Sequence, residues 1–508
     1  MNTATAMIAC LVAISASAAL SDIKLPAIIG DNMVLQQQMA VPIWGTAEPG
    51  ERITVSTAGQ SASTTASEDG RWGVKLKPMP AGGPFEMTIS GKNTITLKNV
   101  MVGEVWVCSG QSNMQWALKD AANGKEEVAN AANPNIRLFS VKLQVSDTPL
   151  QDTEGSWGEC APALAENFSA TAYFFGRELQ QKLGVAIGLI NSSWGGTPCE
   201  AWTPRDVLAG DPEFTPILER WEKALRDYPV AQKEYEKALA QWREDEKKLK
   251  AEGRPVPWPP WPPCGPGHSS TPSGLYNAMI SPIIPYGIRG AIWYQGEGNA
   301  DRAYQYRKLF PAMIKSWRRD WKQGDFPFLF VQIAGWGIIP ADRTEWPELR
   351  EAQSMTLRLK NTGMAVAVDT NDGDIHPRNK QDIGKRLALN AQALVYGHKI
   401  EYSGPVYKSM AVEVDSIRLL FGHTAGGLVA KGGRLKGFTI AGEDRKFATA
   451  NARIEGRSVV VSSPEVKKPV AVRYAWTTNP ECTLYNQAGL PASPFRTDDW
   501  PGATSGKR

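Results

Sequence analysis

The residues in this sequence that can do chemistry stand just after short apolar runs. The stretch Val105-Trp106-Val107-Cys108-Ser109-Gly110-Gln111-Ser112-Asn113-Met114 reads as a buried strand entering a small polar loop, with Ser112 at its tip. A hydroxyl there is a weak nucleophile until a neighbouring base takes its proton. The histidines number four, His268, His376, His398 and His423, so the choice of base is short. His376 stands in Asp372-Gly373-Asp374-Ile375-His376-Pro377, with carboxylates upstream that can fix the imidazole tautomer and stabilise the imidazolium. Gly59-Gln60-Ser61 repeats the tripeptide Gly110-Gln111-Ser112 without such company, so the tripeptide alone specifies nothing.

Asn191-Ser192-Ser193-Trp194-Gly195-Gly196-Thr197 and Gln295-Gly296-Glu297-Gly298-Asn299 also follow apolar runs. Loops after the C-termini of parallel strands share one sheet edge, so Ser112, Gly195, Gln295 and His376 are expected to face one crevice. The N–H groups of Ser112 and of Gly195 or Gly196, with the Gln295 and Asn299 amides, are the candidate donors to a developing oxyanion. Trp116, Trp194, Trp202, Trp293 and Glu297 are the candidates for contact with substrate. Competing motifs fail: Gly296-Glu297-Gly298 lacks the third glycine of a dinucleotide loop, and Lys380 stands where a calcium loop from Asp369 needs a glutamate.

The elements that must position these residues are strands at 105–108, 136–139, 185–190, 290–294, 328–333 and 364–368. Helical patterns lie between them at 173–182, 304–317 and 349–357, with a last helix at 381–396. That alternation predicts an α/β fold, a mostly parallel sheet covered by helices, over residues 100–400. Residues 20–99 alternate short β runs with Gly, Pro and Ser, as a small β-sandwich does, and residues 401–508 return to β. Residues 211–268 form an insertion: a charged helical pair broken at Pro229 and packed over the sheet, then the polyproline run 255–263.

At 508 residues and 42% hydrophobic content the chain has material for a large core and several domains. A net charge of +4 with dispersed basic residues disfavours a nucleic-acid partner. Residues 1–19 read as a cleavable signal peptide ending in Ala16-Ser17-Ala18, so the chain is expected to be secreted or periplasmic, and no later run is long enough to span a membrane. Beyond it remain five cysteines, Cys108, Cys160, Cys199, Cys264 and Cys482, which leave at least one free thiol or an intermolecular bridge, and no zinc-ligand spacing. Neither a metal nor a cofactor is called for, and the oligomeric state is left open.

Together these motifs resemble the SGNH-type esterases, and within them the sialate O-acetylesterase-like carbohydrate esterases. The resemblance runs from about Leu25 to Arg496, through residues 103–114, Trp194-Gly195-Gly196-Thr197, Leu275-Tyr276-Asn277-Ala278-Met279-Ile280, Trp293-Tyr294-Gln295-Gly296-Glu297, Asp374-Ile375-His376-Pro377 and Val472-Arg473-Tyr474-Ala475-Trp476. It implies an SGNH-hydrolase-like sheet with N-terminal and C-terminal β-rich domains. It also implies a serine hydrolase that takes acetyl groups off sugar hydroxyls, with Ser112 as nucleophile and His376 as base. The family commonly has serine at the position of Gly298, and the superfamily places its aspartate where this chain has Gly373. The orienting acid is therefore assigned to Asp374, with Asp372 or a Ser–His dyad as alternatives. O-acetyl sialic acid is the namesake substrate; acetylated xylan or another polysaccharide uses the same chemistry, and a noncatalytic carbohydrate-binding protein is the rival from another class.

Overall fold

The strand expected at 105–108 is the end of a longer one, Thr94–Gly110, in a computed structural model that describes residues 22–337 and 343–508. The leader at 1–19 lies outside the described residues. The first half of this strand alternates exposed and covered residues and pairs antiparallel with Gly82–Ser90. From Val100 to Gly110 every residue is buried, which is why this half reads as a continuous apolar run.

The main sheet takes its strands, in chain order, from β1 (Thr94–Gly110), β2 (Asn133–Ser140), β3 (Trp157–Cys160), β4 (Ala186–Ser193), β5 (Gly290–Tyr294), β6 (Phe328–Gln332) and β7 (Thr362–Val366). Their spatial order is β7-β6-β5-β1-β4-β2-β3, parallel throughout except for the antiparallel edge strand β3. Flanking helices are α1 (Ser112–Gln115), α2 (Ala170–Leu183), α3 (Thr215–Ala251), α4 (Ala303–Trp321), α5 (Glu345–Thr356) and α6 (Lys380–Leu394). Helices α2 and α6 pack together, as do α4 and α5. The fold is the expected helix-flanked parallel sheet, with β-rich regions on either side in sequence. Among the described residues no helix is long and apolar enough to cross a membrane, and the five described cysteines are free.

Chain order and spatial order part company at β1, which has β4 on one side and β5 on the other. Such a switch point opens a crevice at the strand C-termini. Ser112, Trp194 and Gln295 therefore leave three adjacent strands side by side. His376 comes from the loop after edge strand β7, about 14 Å from β1 at three strand spacings.

One apolar core runs from Ile23 to Ala391, so the N-terminal strands share it with the parallel sheet. A second cluster, Ile417 to Ala492, serves the C-terminal strands. Arg350 joins the regions: fully buried, it donates to the carbonyls of Ile333, Ala334, Thr477 and Thr478 at 2.8–3.0 Å. Burial without a carboxylate partner pulls its pKa down to about 10.

The insertion differs from the sequence expectation. Instead of a pair broken at Pro229, α3 is one helix of 37 residues with Pro229 inside it, and Ile217 is its one buried residue, so its length does not lie on the sheet. Proline inside a helix removes a hydrogen bond and costs about 3 kcal/mol. Here tertiary packing offsets that cost: the returning polyproline strap lies along the helix across the proline, with Gly265 against the Tyr228 ring and Trp242 Nε1 donating to the Pro257 carbonyl at 2.9 Å.

The crevice depends on the close approach of β1 and β5. Gly110 has φ +139°, and a Cβ there would lie 2.1 Å from the Tyr294 carbonyl oxygen. Gly110→Ala is expected to destabilise the chain by about 3 kcal/mol, measured as a lowered denaturation midpoint with unchanged denaturant slope.

Candidate active site

Ser112 is the first residue of α1, reached directly from β1. The first N–H groups of a helix have no intrahelical partner, and no side chain caps α1. Its Oγ lies 2.8 Å from His376 Nε2. His376 Nδ1 is 3.2 Å from Asp374 Oδ1, which also accepts the His376 backbone N–H at 2.8 Å. Asp372 is occupied elsewhere, accepting the backbone N–H groups of Asp374 and Arg378. The Trp116 indole stacks on the imidazole, with ring centroids 5.0 Å apart. Desolvation lowers the His376 pKa from its ordinary value; Asp374 opposes the shift and Lys380 adds to it. The imidazole is therefore neutral near pH 7, the state a base needs.

Asn113 ties the serine and histidine loops together. Its Nδ2 donates to the Ile375 carbonyl at 3.0 Å and to Glu297 Oε1 at 2.8 Å, and its Oδ1 accepts from Lys380 Nζ at 2.6 Å. Lys380 also donates to the Pro377 carbonyl at 2.7 Å and lies over the Trp116 and Tyr294 rings. Burial pushes its pKa down to about 7, and burial raises that of Glu297. Sequence reading passed over both anchors. Their one available signal was position: Asn113 follows the serine, and Lys380 comes four residues after the histidine, at the start of α6.

Other expected site residues have different partners. Gln295 is fully buried, with its amide donating to the Thr197 carbonyl and to Asn299 Oδ1 and its Oε1 accepting from Tyr306. Asn299 donates to Glu200 Oε2 at 2.7 Å and accepts the Cys199 N–H. Both amides hold the 197–200 loop instead of presenting free donors. Gly195 N–H donates to Gln115 Oε1 at 2.7 Å, whereas Gly196, at φ +73°, has open space around it. Trp202 and Trp293 are wholly buried and stack edge to face, so neither meets a sugar. Trp116 and Trp194 are partly exposed, and Glu297 is turned to Asn113. Beyond Gly196 and Gly298 lies a cleft of about 340 Å³, lined also by Pro198, Arg220, Trp221 and Arg302, that reaches the base of α3.

The chain is similar to known carbohydrate esterases. The chain matches the family model described as carbohydrate esterase, sialic acid-specific acetylesterase, over residues 102–248 and 265–393. It is 33% identical to the sialate O-acetylesterase of Rattus norvegicus, over 92% of this chain and 93% of that one. It is 31% identical to the Homo sapiens protein of that name, over 94% and 93%. A solved carbohydrate acetylesterase from Xanthomonas citri is 37% identical, with a TM-score of 0.80 over 94% of this chain and 100% of that one.

Two substitutions test the geometry. Lys380→Met keeps the bulk but leaves Asn113 Oδ1 and the Pro377 carbonyl without their donor. It is expected to lower kcat about 10- to 100-fold with KM little changed. Because the Lys380 charge lowers the His376 pKa, the acid limb of kcat/KM should move to higher pH. Gly195→Ala places a Cβ 3.3 Å from that of Ser112 and should reduce kcat in the same assay, with the folded fraction unchanged by circular dichroism.

Proposed function

We propose a catalytic mechanism for this chain, which belongs to the sialic acid-specific acetylesterase family of carbohydrate esterases and is a carbohydrate O-acetylesterase. Ser112 is the nucleophile, His376 the base and Asp374 the orienting acid. His376 Nε2 takes the Ser112 proton as Oγ attacks the acetyl carbonyl. The imidazolium then returns that proton to the departing sugar oxygen, leaving an acetyl ester on Ser112. In the second half His376 deprotonates a water, which attacks the acetyl-serine; the acyl–Oγ bond breaks, the imidazolium returns the proton to Ser112 Oγ and acetate leaves. The oxyanion of both steps is received by the Ser112 N–H at the open start of α1, together with the Gly196 N–H; the Gly195 N–H is held by Gln115.

The observation that carries this reading is the 2.8 Å contact between Ser112 Oγ and His376 Nε2, with Asp374 Oδ1 3.2 Å from the other ring nitrogen. Partly exposed Trp116 and Trp194 are the surfaces on which the sugar rests. The substrate is an O-acetylated sugar, and the names of the relatives put an O-acetyl sialoside first among those to try. The leader expected at 1–19 supports export, so the enzyme acts in the periplasm or outside the cell.

Acetate release from O-acetyl sialosides, acetylated xylan and p-nitrophenyl acetate tests the mechanism. Ser112→Ala and His376→Ala are each expected to lose on the order of 10⁴-fold in kcat, and undiminished turnover by the Ser112 variant would end the proposal. For the wild type, kcat/KM should rise with pH through a midpoint below 6.5, the direction in which His376 is shifted. Since Asp374 raises the His376 pKa, Asp374→Asn should lower kcat and carry that midpoint lower still. Asp372→Asn should leave it in place; the reverse pattern assigns the acid to Asp372.

A further inference from the structure

The polyproline strap that returns along α3 carries the two most exposed tryptophans of the described residues. Trp258 is 90% exposed and Trp261 85% exposed. Prolines at 255, 257, 259, 260, 262 and 263 hold φ near −65° and force the residues before them into extended backbone, so the segment is a polyproline II helix. Three residues make one turn of that helix, so Trp258 and Trp261 share a face about 9 Å apart. The face is turned outward, because Val256, Pro260 and Pro263 are the covered residues and the Pro257 carbonyl is bonded to Trp242.

We propose that Trp258 and Trp261 form a platform for a β-linked polysaccharide, stacking on alternate pyranose rings of the chain whose acetyl groups the catalytic site removes. This rests on the reading above that the substrate is an acetylated sugar, and it adds that the sugar belongs to a polymer. An indole offers a broad apolar face and an N–H donor, which suits a pyranose with C–H groups on its face and hydroxyls at its rim. A rigid strap loses little conformational freedom when a ligand settles on it.

Position points to a polymer. The cleft beyond Gly196 and Gly298 reaches along α3 to Ala224. From there to Trp242, beside the strap, the helix rises about 27 Å, so a sugar ligand that meets both the cleft and the tryptophans is an extended chain and not a mono- or disaccharide. The neighbouring turns of α3 read Arg243-Glu244-Asp245-Glu246-Lys247-Lys248, so the two rings have no apolar surround to extend them into the core of a protein interface, where Lys, Glu and Asp are depleted. The match to the family model breaks between 248 and 265, so the platform is separate from the features that define the family.

The test compares wild type with the Trp258→Ala/Trp261→Ala double variant, both rings being surface groups whose loss leaves the fold intact. On p-nitrophenyl acetate the two should agree. On acetylated xylan the double variant should show KM raised about tenfold with kcat unchanged, and Trp258→Phe/Trp261→Phe should restore much of the difference. Catalytically inert Ser112→Ala protein should be retarded in native gels containing alkali-deacetylated xylan or hydroxyethyl cellulose, and adding the double substitution should abolish the retardation. Equal KM and equal retardation with and without the tryptophans overturn the proposal, as does a change of oligomeric state in place of a change in retardation. Retardation that depends on the tryptophans in a chain releasing no acetate from any substrate upholds the platform and refutes the catalytic reading.

Discussion

The side chain of Asn113 is the constraint on which the site depends. Strand β1 delivers Ser112 to the sheet edge through regular hydrogen bonding, but His376 arrives on a loop from an edge strand two places beyond β5. Asn113, next to the serine, closes that gap with bonds to Ile375, Glu297 and Lys380, and Lys380 adds one to Pro377. The buried amide thereby grips the residues on both sides of His376. Burying a lysine alone costs several kcal/mol; here two oxygen acceptors, the faces of Trp116 and Tyr294 and the nearby Glu297 carboxylate offset the loss of water.

The same device recurs around the crevice. Gln111 Oε1 accepts the N–H groups of Gly296 and Gly298, Gln115 accepts that of Gly195, and Gln353 accepts Ile333 N–H while donating to Gln295 and Val331 carbonyls. Loops at strand ends leave backbone groups that sheet and helix cannot satisfy. Buried Gln and Asn side chains, each with a donor and an acceptor end, satisfy them without introducing charge. Gln295 and Asn299 belong to this scaffold, which is why their amides are engaged with the 197–200 loop.

The parallel sheet was legible because β1, β4, β5 and β6 are buried on both faces and read as apolar runs in the right alternation with helices. Ser112, His376 and Asp374 stand out in the sequence because their loops follow such runs, and the structure brings the three side chains within contact of one another. Neither the direction in which Gln295 turns nor the burial of Lys380 shows in local pattern, since both are set by groups far away in sequence. The same holds for α3: Pro229 is a valid breaking signal, overridden by a strap that returns some thirty residues later. Trp202 and Trp293 looked like sugar platforms by proximity to the motifs, whereas packing against each other and Trp317 makes them core.

That contrast separates two uses of tryptophan in one chain. A ring near a catalytic motif is surrounded by elements converging on the sheet edge, so burial is its default unless a loop props it open, as Trp116 is held against His376. A ring flanked by prolines on a strap has no second layer to cover it and cannot fold inward, because the polyproline backbone has no freedom to do so. Since the bonds that position Ser112 and His376 lie within the sheet, its loops and α6, and α3 meets the apolar core through Ile217 and the partly buried Leu218 near its start, the exposed arm can vary without disturbing the contact between those two side chains.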